Sequence, residues 1–404
     1  MDKQSVKRSF PQTSGTLPGL YLHVPFCAGK CPYCDFYSID DLSLVSAWLT
    51  AFEKEVFLCK DVLNSFDTLY LGGGTPSLLS VSQIETLLRS VHKHFVFCND
   101  PEITLEANPG DLSPEKVKGF RCLGINRISL GVQSFDDAVL RFLNRRHTVK
   151  DVQRAIEMIR KAGFENLSID LMYAVPGQGK DGWLETLKRA IGFTPEHFSC
   201  YQLTVNENTP FFRLKAQGKF VPGIPETDAF LLTSGTLEKN GYMHYEISSF
   251  AGNKKLFSRH NQKYWQHVPY LGLGPSAHSF DGNCRWWNAS SMEAYTKTLN
   301  QGKRPVAEAE VLHETQKDLE ALFLGFRTKK GVALASLQKY KKVEIVLERL
   351  IESDLITVQA DRAVPTQKGF LFADRLPLYF DRKHGMYSQH LDSASIGIDS
   401  TYQI

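Results

Sequence analysis

From Tyr21 to Leu203 the sequence alternates short apolar segments with amphipathic ones, and this pattern restricts the fold more than any other feature. Six segments are predicted as strands: Tyr21–Val24, Thr68–Leu71, Ile103–Ala107, Arg127–Gly131, Leu167–Leu171 and Phe198–Leu203. Helices are predicted between them, near residues 43–60, 81–95, 113–122, 135–162 and 181–192. Strands that alternate with helices form parallel sheets with right-handed crossovers. The pattern therefore predicts an α/β fold, and we expect a partial (β/α)6 barrel.

A loop rich in cysteine follows the first predicted strand. Cys27, Cys31 and Cys34 have the spacing Cys-x3-Cys-x2-Cys. A cubane iron–sulfur cluster that is fully ligated takes four cysteines, so three thiolates leave one iron open to another ligand. A structural zinc site with His23 as the fourth ligand is the alternative, although such sites commonly use two pairs of ligands. The odd number of cysteines in the motif and the scattering of the others argue against a disulfide framework.

A glycine run follows the second predicted strand. Gly72, Gly73 and Gly74 directly precede Thr75 and Pro76. Consecutive glycines let a backbone approach a ligand with no Cβ in the way, whereas an isolated glycine run is often only a turn. The run lies at the carboxyl end of a strand, one strand after the cysteine loop, and this position favours contact with a ligand.

Polar side chains also lie near the ends of successive predicted strands, at Glu106, Gln133 and Asp170. An acid within an otherwise apolar strand costs free energy unless it is paired. One such residue could be structural, but three together predict a single polar pocket where the strands end. Arg145 is a weaker candidate, because exposed arginines are common and Arg146 stands beside it.

After Leu203 the alternation stops. We divide the chain into a flexible N terminus (1–18), a barrel (19–204), an extension packed on the barrel (205–304), a small C-terminal domain (305–375) and a tail (376–404).

The small domain is predicted to contain three helices and a hairpin, in an arrangement that resembles a winged helix. The helices are His313–Phe326, Leu334–Tyr340 and Glu344–Ser353, and the hairpin strands are Leu355–Val358 and Ala363–Pro365. Winged helices often bind DNA, but this segment has no strong basic stripe beyond Lys329-Lys330 and the lysines between residues 339 and 342. A role in packing or in binding a partner is therefore favoured.

Charge and hydropathy exclude several classes of function. The net charge is only +3, from 47 basic and 44 acidic residues, so nothing indicates a nucleic-acid partner. No stretch is apolar for long enough to span a membrane, although peripheral membrane contact is left open. The first eighteen residues lack the apolar core of a secretory signal, and unpaired cysteines fit a reducing compartment. These features predict a cytoplasmic protein.

The cysteine loop followed by Gly-Gly-Gly-Thr-Pro resembles the radical S-adenosylmethionine (SAM) superfamily. The resemblance covers residues 19 to 375 and is greater to the branch of oxygen-independent coproporphyrinogen dehydrogenases and heme chaperones. It implies a radical-SAM barrel with a [4Fe-4S] cluster on Cys27, Cys31 and Cys34. It also implies that SAM binds the open iron, where an electron from the cluster cleaves the sulfonium and releases a 5′-deoxyadenosyl radical.

The resemblance also assigns contacts to SAM. The positions that match the family's motifs are Tyr21, Tyr33, Gly73, Gly74, Thr75, Glu106, Gln133, Arg145 and Asp170. By the resemblance, Tyr33 lies beside the adenine, and the two glycines and Thr75 contact the methionine end. The set includes the polar pocket predicted from the strand ends, although the individual roles come from the resemblance alone.

Two features separate the branches. The dehydrogenases typically have a further cysteine two residues after the third ligand, where this chain has Phe36. They also have a longer N-terminal arm, whereas 20 residues precede Tyr21 here. Both features favour the chaperone, and radical oxidative decarboxylation of a tetrapyrrole propionate is the alternative.

A third motif concerns heme, the expected cargo. The run His260-Asn-Gln-Lys-Tyr264-Trp265 resembles a signature of the chaperone branch that is associated with heme binding. A neutral imidazole can ligate heme iron axially, although a lone histidine is more often a structural hydrogen-bonding residue. His260 is therefore the predicted heme ligand, with His278 and His147 as alternatives. A heme-acceptor protein and an electron donor are expected partners, and neither they nor the oligomeric state can be named.

Overall fold

The computed structural model describes residues 16–380, so residues 1–15 and 381–404 of the predicted N terminus and tail lie outside the described residues. Within this range six strands pair in parallel, each with the next in chain order. They are β1 Gly19–Val24, β2 Ser65–Gly73, β3 Val96–Ala107, β4 Arg127–Gln133, β5 Leu167–Tyr173 and β6 His197–Gln202. The predicted α/β class and the six strands are confirmed.

The helices between these strands agree with the predicted ones except in one place. They are α1 Val45–Cys59, α2 Val81–His94, α3 Pro114–Cys122, α4 Asp137–Phe142, α5 Val149–Lys161 and α6 Lys180–Gly192. The prediction of one helix over 135–162 is wrong, because a loop separates α4 from α5. Asn144 has a left-handed backbone (φ +54°), and Thr148 starts α5 with a capping box to Asp151. This loop carries Arg145.

Residues after 204 extend the sheet at both of its edges. The strands are β7 Met243–Glu246, β8 Ser249–Ala251, β9 Tyr270–Leu273, β10 His278–Phe280, β11 Cys284–Asn288 and β12 Val306–Val311. The helices are α7 Pro210–Ala216, α8 Glu226–Lys239, α9 Arg259–Trp265 and α10 Met292–Asn300. Strand β9 pairs with β1 and β8 pairs with β6, giving a sheet of twelve strands within residues 16–380. Strand β12 falls within the predicted small domain (305–375) but pairs with β11 of the large sheet. The division at 205–304 and 305–375 stays a prediction.

The C-terminal segment has its own small sheet and core. Its elements are α11 Glu314–Gly325, β13 Val332–Ala333, α12 Leu334–Leu337, α13 Val343–Glu352, β14 Ile356–Gln359, β15 Arg362–Pro365 and α14 Gln367–Phe370. Strands β14 and β15 form the predicted hairpin, with Ile356 opposite Pro365. Leu322, Phe326 and Leu350 pack into one apolar core here, separate from that of the large sheet.

The six parallel strands carry one apolar and one polar face, and both are largely buried. Alternate residues such as Leu71, Leu105 and Ile169 are fully buried and share a core with Trp48 and Phe120 of the helices. The residues between them are polar and are also buried: Thr68, Thr104, Arg127, Ser129, Ser168, His197 and Ser199. Buried parallel strands are usually apolar on both faces. This polar interior face positions the candidate site.

Candidate cluster and nucleoside site

The cysteine loop, residues 25–38, follows β1 directly and presents three free, partly exposed thiols. The Cys27 Sγ lies 3.4 Å from Thr75 Oγ1, and the Cys31 Sγ accepts a hydrogen bond of 3.5 Å from Arg145. Burial, with a smaller contribution from the two other thiols, raises the pKa of Cys34 to about 11. Three soft sulfur ligands on one loop fit an iron–sulfur cluster.

The histidine of the zinc alternative already has a hydrogen-bond partner at each ring nitrogen. His23 is 4% exposed, and its ring nitrogens lie 3.2 Å from the Tyr21 hydroxyl and 2.8 Å from the Tyr37 carbonyl oxygen. Burial lowers the pKa of His23 to about 4. Within residues 16–380, no three His, Cys, Asp or Glu side chains are grouped as ligands of a single metal ion.

The glycine run packs against the cysteine loop itself. Gly73 has φ +101°, and a Cβ there would lie 2.6 Å from Nδ1 of His23. A Cβ on Gly74 would lie 2.6 Å from the Phe26 carbonyl oxygen, and the Gly74 amide donates to the Val24 carbonyl. Gly74 therefore lets the loop lie on the end of β2, and Gly73 lets this end of β2 lie close to His23 of β1. Their contacts to SAM stay a prediction.

Arg145, the weakest candidate from sequence, lies at the centre of the site. Its guanidinium donates to the Cys31 sulfur, to the Tyr33 hydroxyl at 3.4 Å and to the Gly131 carbonyl at 3.1 Å. Gln133 lies beside it, at a bulge in β4 and with φ +66°. A non-glycine residue with positive φ is strained, and such strain is often stored at functional sites. Arg145 therefore joins the cysteine loop to the end of β4.

Glu106 and Asp170 project from the polar face of the sheet. Glu106 accepts a hydrogen bond of 2.7 Å from the Tyr70 hydroxyl, and Asp170 accepts from Ser129 (3.0 and 2.9 Å) and from Ser168 (3.1 Å). Burial raises the pKa of both carboxyls, that of Glu106 to about 7, and the nearby Asp170 adds to the shift on Glu106. The two predicted carboxyls are therefore close enough for the charge of Asp170 to affect the pKa of Glu106.

Sequence reasoning did not single out Arg127, which begins β4 on the same face. It is 2% exposed, and its Nε has no hydrogen-bond partner among the described residues. Its positive charge lowers the pKa of Glu106 and of Asp170, opposing the larger effect of burial. A buried guanidinium requires nearby negative charge, and these carboxyls supply it. The sequence signal that could have identified Arg127 is the polar–apolar alternation of Arg127-Ile-Ser129-Leu.

His260 lies at the other end of the strands from the cysteine loop. A Cβ on Gly19, the first residue of β1, would lie 3.1 Å from the His260 ring. The imidazole is 1% exposed, with Nδ1 at 2.8 Å from Thr68 Oγ1 and Nε2 at 2.9 Å from the Tyr264 hydroxyl. Burial lowers its pKa to about 3, so the ring is neutral. Both nitrogens are engaged inside the protein.

The two alternative histidines differ in exposure. His147 is 2% exposed and is bonded to Asn108 and to the Val132 carbonyl. His278 is exposed and stacks on Trp287, with ring centroids 5.6 Å apart.

A buried chain of hydrogen bonds joins the polar pocket to helix α9. Ser168, which donates to Asp170, lies 2.8 Å from Nδ1 of His197, and Nε2 of His197 lies 2.7 Å from the Tyr245 hydroxyl. The Ser258 amide donates to that hydroxyl, and Ser258 is the N-cap of α9. The pocket and the helix that carries His260 are therefore physically connected.

Comparisons with known proteins identify the family. The family model of the radical SAM superfamily matches residues 21–190. The chain is 34% identical to the heme chaperone HemW of Lactococcus lactis subsp. lactis (strain IL1403), over 87% of this chain and 93% of that protein. It is 33% identical to the heme chaperone HemW of Bacillus subtilis (strain 168), over 88% of this chain and 97% of that protein. The chain belongs to the HemW family.

Members of the HemW family thus match this chain over most of their length, and a solved structure supports the fold. Coproporphyrinogen III oxidase (HemN) from Escherichia coli, a radical SAM enzyme, is 23% identical with a TM-score of 0.77, covering 91% of each chain. The likeness establishes the mixed α/β fold. Among residues 16–380, no helix is long and apolar enough to cross a membrane.

Proposed function

We propose that this protein is a heme chaperone, which binds heme and delivers it to an acceptor protein. The observation that carries the proposal is the identity of 33–34% to proteins named heme chaperone HemW, over 93–97% of their length. Phe36, 44% exposed beside the third cysteine, is consistent with it, because the dehydrogenase branch resembled above has a cysteine there.

We further propose a [4Fe-4S] cluster on Cys27, Cys31 and Cys34, with SAM at its open iron. The cluster would supply an electron to the sulfonium of SAM. Arg145 would hold the Cys31 thiolate, and Glu106 and Asp170 would orient the nucleoside by accepting hydrogen bonds from its hydroxyls. The predicted roles of Tyr21, Tyr33, Gly73, Gly74, Thr75 and Gln133 belong to the same proposal.

The contact with SAM is testable at Glu106. At about pH 8.5, above the raised pKa of Glu106, the Glu106→Gln variant should bind SAM about tenfold more weakly, because a hydrogen bond to a charged group contributes about 1.5–3 kcal/mol. The measurement is the change in the spectrum of the reconstituted cluster on titration with SAM. Glu115→Gln, an exposed position on α3, is the matched control. Equal SAM affinity in the parent and the Glu106 variant would remove this residue from the site.

Heme ligation by His260 would require its ring to be released. Since Nε2 is bonded to the Tyr264 hydroxyl, iron could bind that nitrogen only after this hydrogen bond breaks. Tyr264→Phe is therefore expected to raise heme affinity, by about two- to tenfold, the net contribution of one hydrogen bond. His260→Ala is expected to lower the affinity and to shift the Soret band.

Titration of the anaerobically reconstituted protein with heme checks both variants, and it is also the test of the proposed function. A parent protein that gives no Soret band would refute the chaperone. Opposite responses of the two variants distinguish ligation from a loss of folding, since Tyr264→Phe should bind heme better. If His260→Ala binds heme like the parent, His278→Ala tests the exposed alternative.

A second candidate function is the oxygen-independent coproporphyrinogen dehydrogenase. The fold shared with the coproporphyrinogen III oxidase of E. coli is the observation in its favour. Anaerobic incubation with coproporphyrinogen III, SAM and a reductant is expected to give no decarboxylated product. Sustained formation of that product would reverse the preference.

A further inference from the structure

His197, the first residue of β6, lies inside the protein with a hydrogen-bond partner at each ring nitrogen. It is fully buried, with Nδ1 at 2.8 Å from Ser168 Oγ and Nε2 at 2.7 Å from the Tyr245 hydroxyl. Burial, with a smaller contribution from the charge of Arg127, lowers the pKa of His197 well below its usual range. The imidazole is therefore neutral, and only one of its two nitrogens carries a proton.

The neighbours on the Ser168 side determine which nitrogen carries that proton. Ser168 has a single hydroxyl proton, and it donates this proton to Asp170 at 3.1 Å. A carboxylate can only accept hydrogen bonds, and it is a stronger acceptor than a neutral imidazole. The Ser168 oxygen can then only accept from His197, and from Ser199 at 3.3 Å, with one lone pair for each. The ring proton of His197 therefore lies on Nδ1.

The partners on the other side of the ring agree with this assignment. Nε2 has no proton and accepts from the Tyr245 hydroxyl, whose oxygen accepts from the Ser258 amide at 3.2 Å. The Tyr245 ring is held in place by stacking on Phe257, with centroids 3.9 Å apart. The hydrogen bonds therefore all run in one direction, from the Ser258 amide through His197 to Asp170.

We propose that His197 is a positioning residue for the nucleoside site, because its Nδ1 proton holds the Ser168 hydroxyl in the rotation that donates to Asp170. This inference rests on the proposed contact between Asp170 and SAM. The carboxylate also accepts from Ser129 of β4 at both oxygens, so it is held from two strands. An acceptor that is already fixed loses little conformational entropy when a nucleoside hydroxyl binds it, and this raises the affinity.

Two substitutions of His197 separate the roles of its nitrogens. The side-chain amide of asparagine can replace Nδ1 as the donor to Ser168, whereas the side-chain oxygen of glutamine can replace Nε2 as the acceptor from Tyr245. His197→Asn should therefore bind SAM within about twofold of the parent, and His197→Gln about fivefold more weakly, the effect of losing one hydrogen bond. Titration of the reconstituted cluster with SAM, followed by its spectrum, measures both.

His244→Gln is the matched control. His244 is also buried and also bonded to a serine, Ser234 of α8, but that serine belongs to no bond with Asp170. This variant should keep the parent's affinity for SAM.

A double variant tests whether His197 acts through Ser168. Ser168→Ala should weaken SAM binding by about fivefold, as expected for one hydrogen bond. Adding His197→Gln to it should cause no further loss, because the hydroxyl that His197 positions is already absent. A histidine that only supports the fold would give additive losses.

The position of the ring proton can also be measured directly in the parent. The ¹⁵N NMR spectrum of protein labelled at histidine distinguishes a protonated ring nitrogen from an unprotonated one. His197→Asn identifies the signals of His197 by their loss. We expect the proton on Nδ1.

Three results would overturn the inference while the parent still binds SAM: a ring proton on Nε2, equal affinities of the two His197 variants, or additive losses in the double variant. In these cases the proposed nucleoside site stands. Equal SAM affinity in the parent and Asp170→Asn would instead refute the contact on which the inference rests. A parent cluster whose spectrum does not respond to SAM would refute the nucleoside site and the role of His197 together, and the heme titration would still report on the chaperone.

Discussion

Replacing Cys31 by alanine is expected to leave a protein that cannot hold an iron–sulfur cluster. Three thiolates leave only one iron of a cubane without a protein ligand. Two thiolates would leave two irons without one. The variant also removes the sulfur to which Arg145 donates, leaving that partly buried charge near Gly131 and Tyr33 only. After anaerobic reconstitution we expect near-complete loss of bound iron, of acid-labile sulfide and of the brown absorbance.

The control for this variant is Cys122→Ala, which removes an exposed cysteine of α3 outside the loop. It should bind as much iron and sulfide as the parent. A Cys31→Ala protein that keeps its full iron and sulfide content would show that Cys31 is no ligand, and the proposed site would have to be abandoned. A parent that binds zinc but no sulfide would favour the alternative metal.

The elements with strong local signals were predictable from sequence. Ser113-Pro114 predicts the start of α3, and in the structure Ser113 Oγ accepts from the Lys116 amide as the N-cap. The hairpin of β14 and β15 was found in the same way, from a turn between two apolar runs. The split between α4 and α5 was missed because apolar periodicity continues across it. The capping box at Thr148 was the signal that should have outweighed that periodicity.

The strands that extend the sheet could not be predicted from local pattern. Strand β8 has 3 residues and β9 has 4, and each is a strand because it lies along an open edge of the parallel sheet. Pairing of this kind is set by tertiary contact, which outweighs intrinsic propensity. For the same reason the sequence could name His260 but could not show that its ring is buried between Thr68 and Tyr264.

Some residues of the candidate site were likewise predictable from sequence, and others were not. Spacing alone indicated the cysteine loop, and strand ends indicated Glu106 and Asp170, because parallel strands bring their carboxyl ends to one edge. The importance of Arg145 was underestimated, because it depends on a loop that places the guanidinium next to the Cys31 sulfur. Arg127 was missed because a charge at the first position of a strand is usually exposed, whereas this one is 2% exposed.

A buried carboxyl outside the cysteine loop should have the largest effect on stability. Glu55 of α1 is 1% exposed and accepts hydrogen bonds from the Gly274 amide (2.8 Å), Asn288 (2.5 Å) and the Tyr295 hydroxyl (2.6 Å). It thereby ties α1 to the strands and the helix that extend the sheet. Glu55→Ala leaves these donors buried without an acceptor, and we expect it to lower the free energy of unfolding by about 3 kcal/mol or more.

The matched control is Glu53→Ala, on the exposed side of the same helix, which should change the free energy of unfolding by less than about 0.5 kcal/mol. Urea unfolding at pH 5 provides the comparison. A Glu55→Ala protein as stable as the Glu53 variant would show that the three donors find other partners, and that Glu55 does not hold the extension in place.

The effect of Glu55 should depend on pH in a defined direction. Burial raises its pKa from 4.5 to about 7, against the three hydrogen bonds, which lower it. Between these values the folded state keeps a proton that the unfolded state has released, so stability falls as the pH rises through this window. Below it both states are protonated, and the full contribution of Glu55 is present.

The difference in the free energy of unfolding between the parent and Glu55→Ala should therefore be largest at pH 5 and should shrink by roughly 2–3 kcal/mol by pH 8. Burial also raises the pKa of Glu106 and Glu246 to about 7. Both residues are present in the two proteins, so their effects on stability cancel in this comparison. A difference that grows with pH would mean that the three donors stabilise the ionised carboxylate more than burial destabilises it.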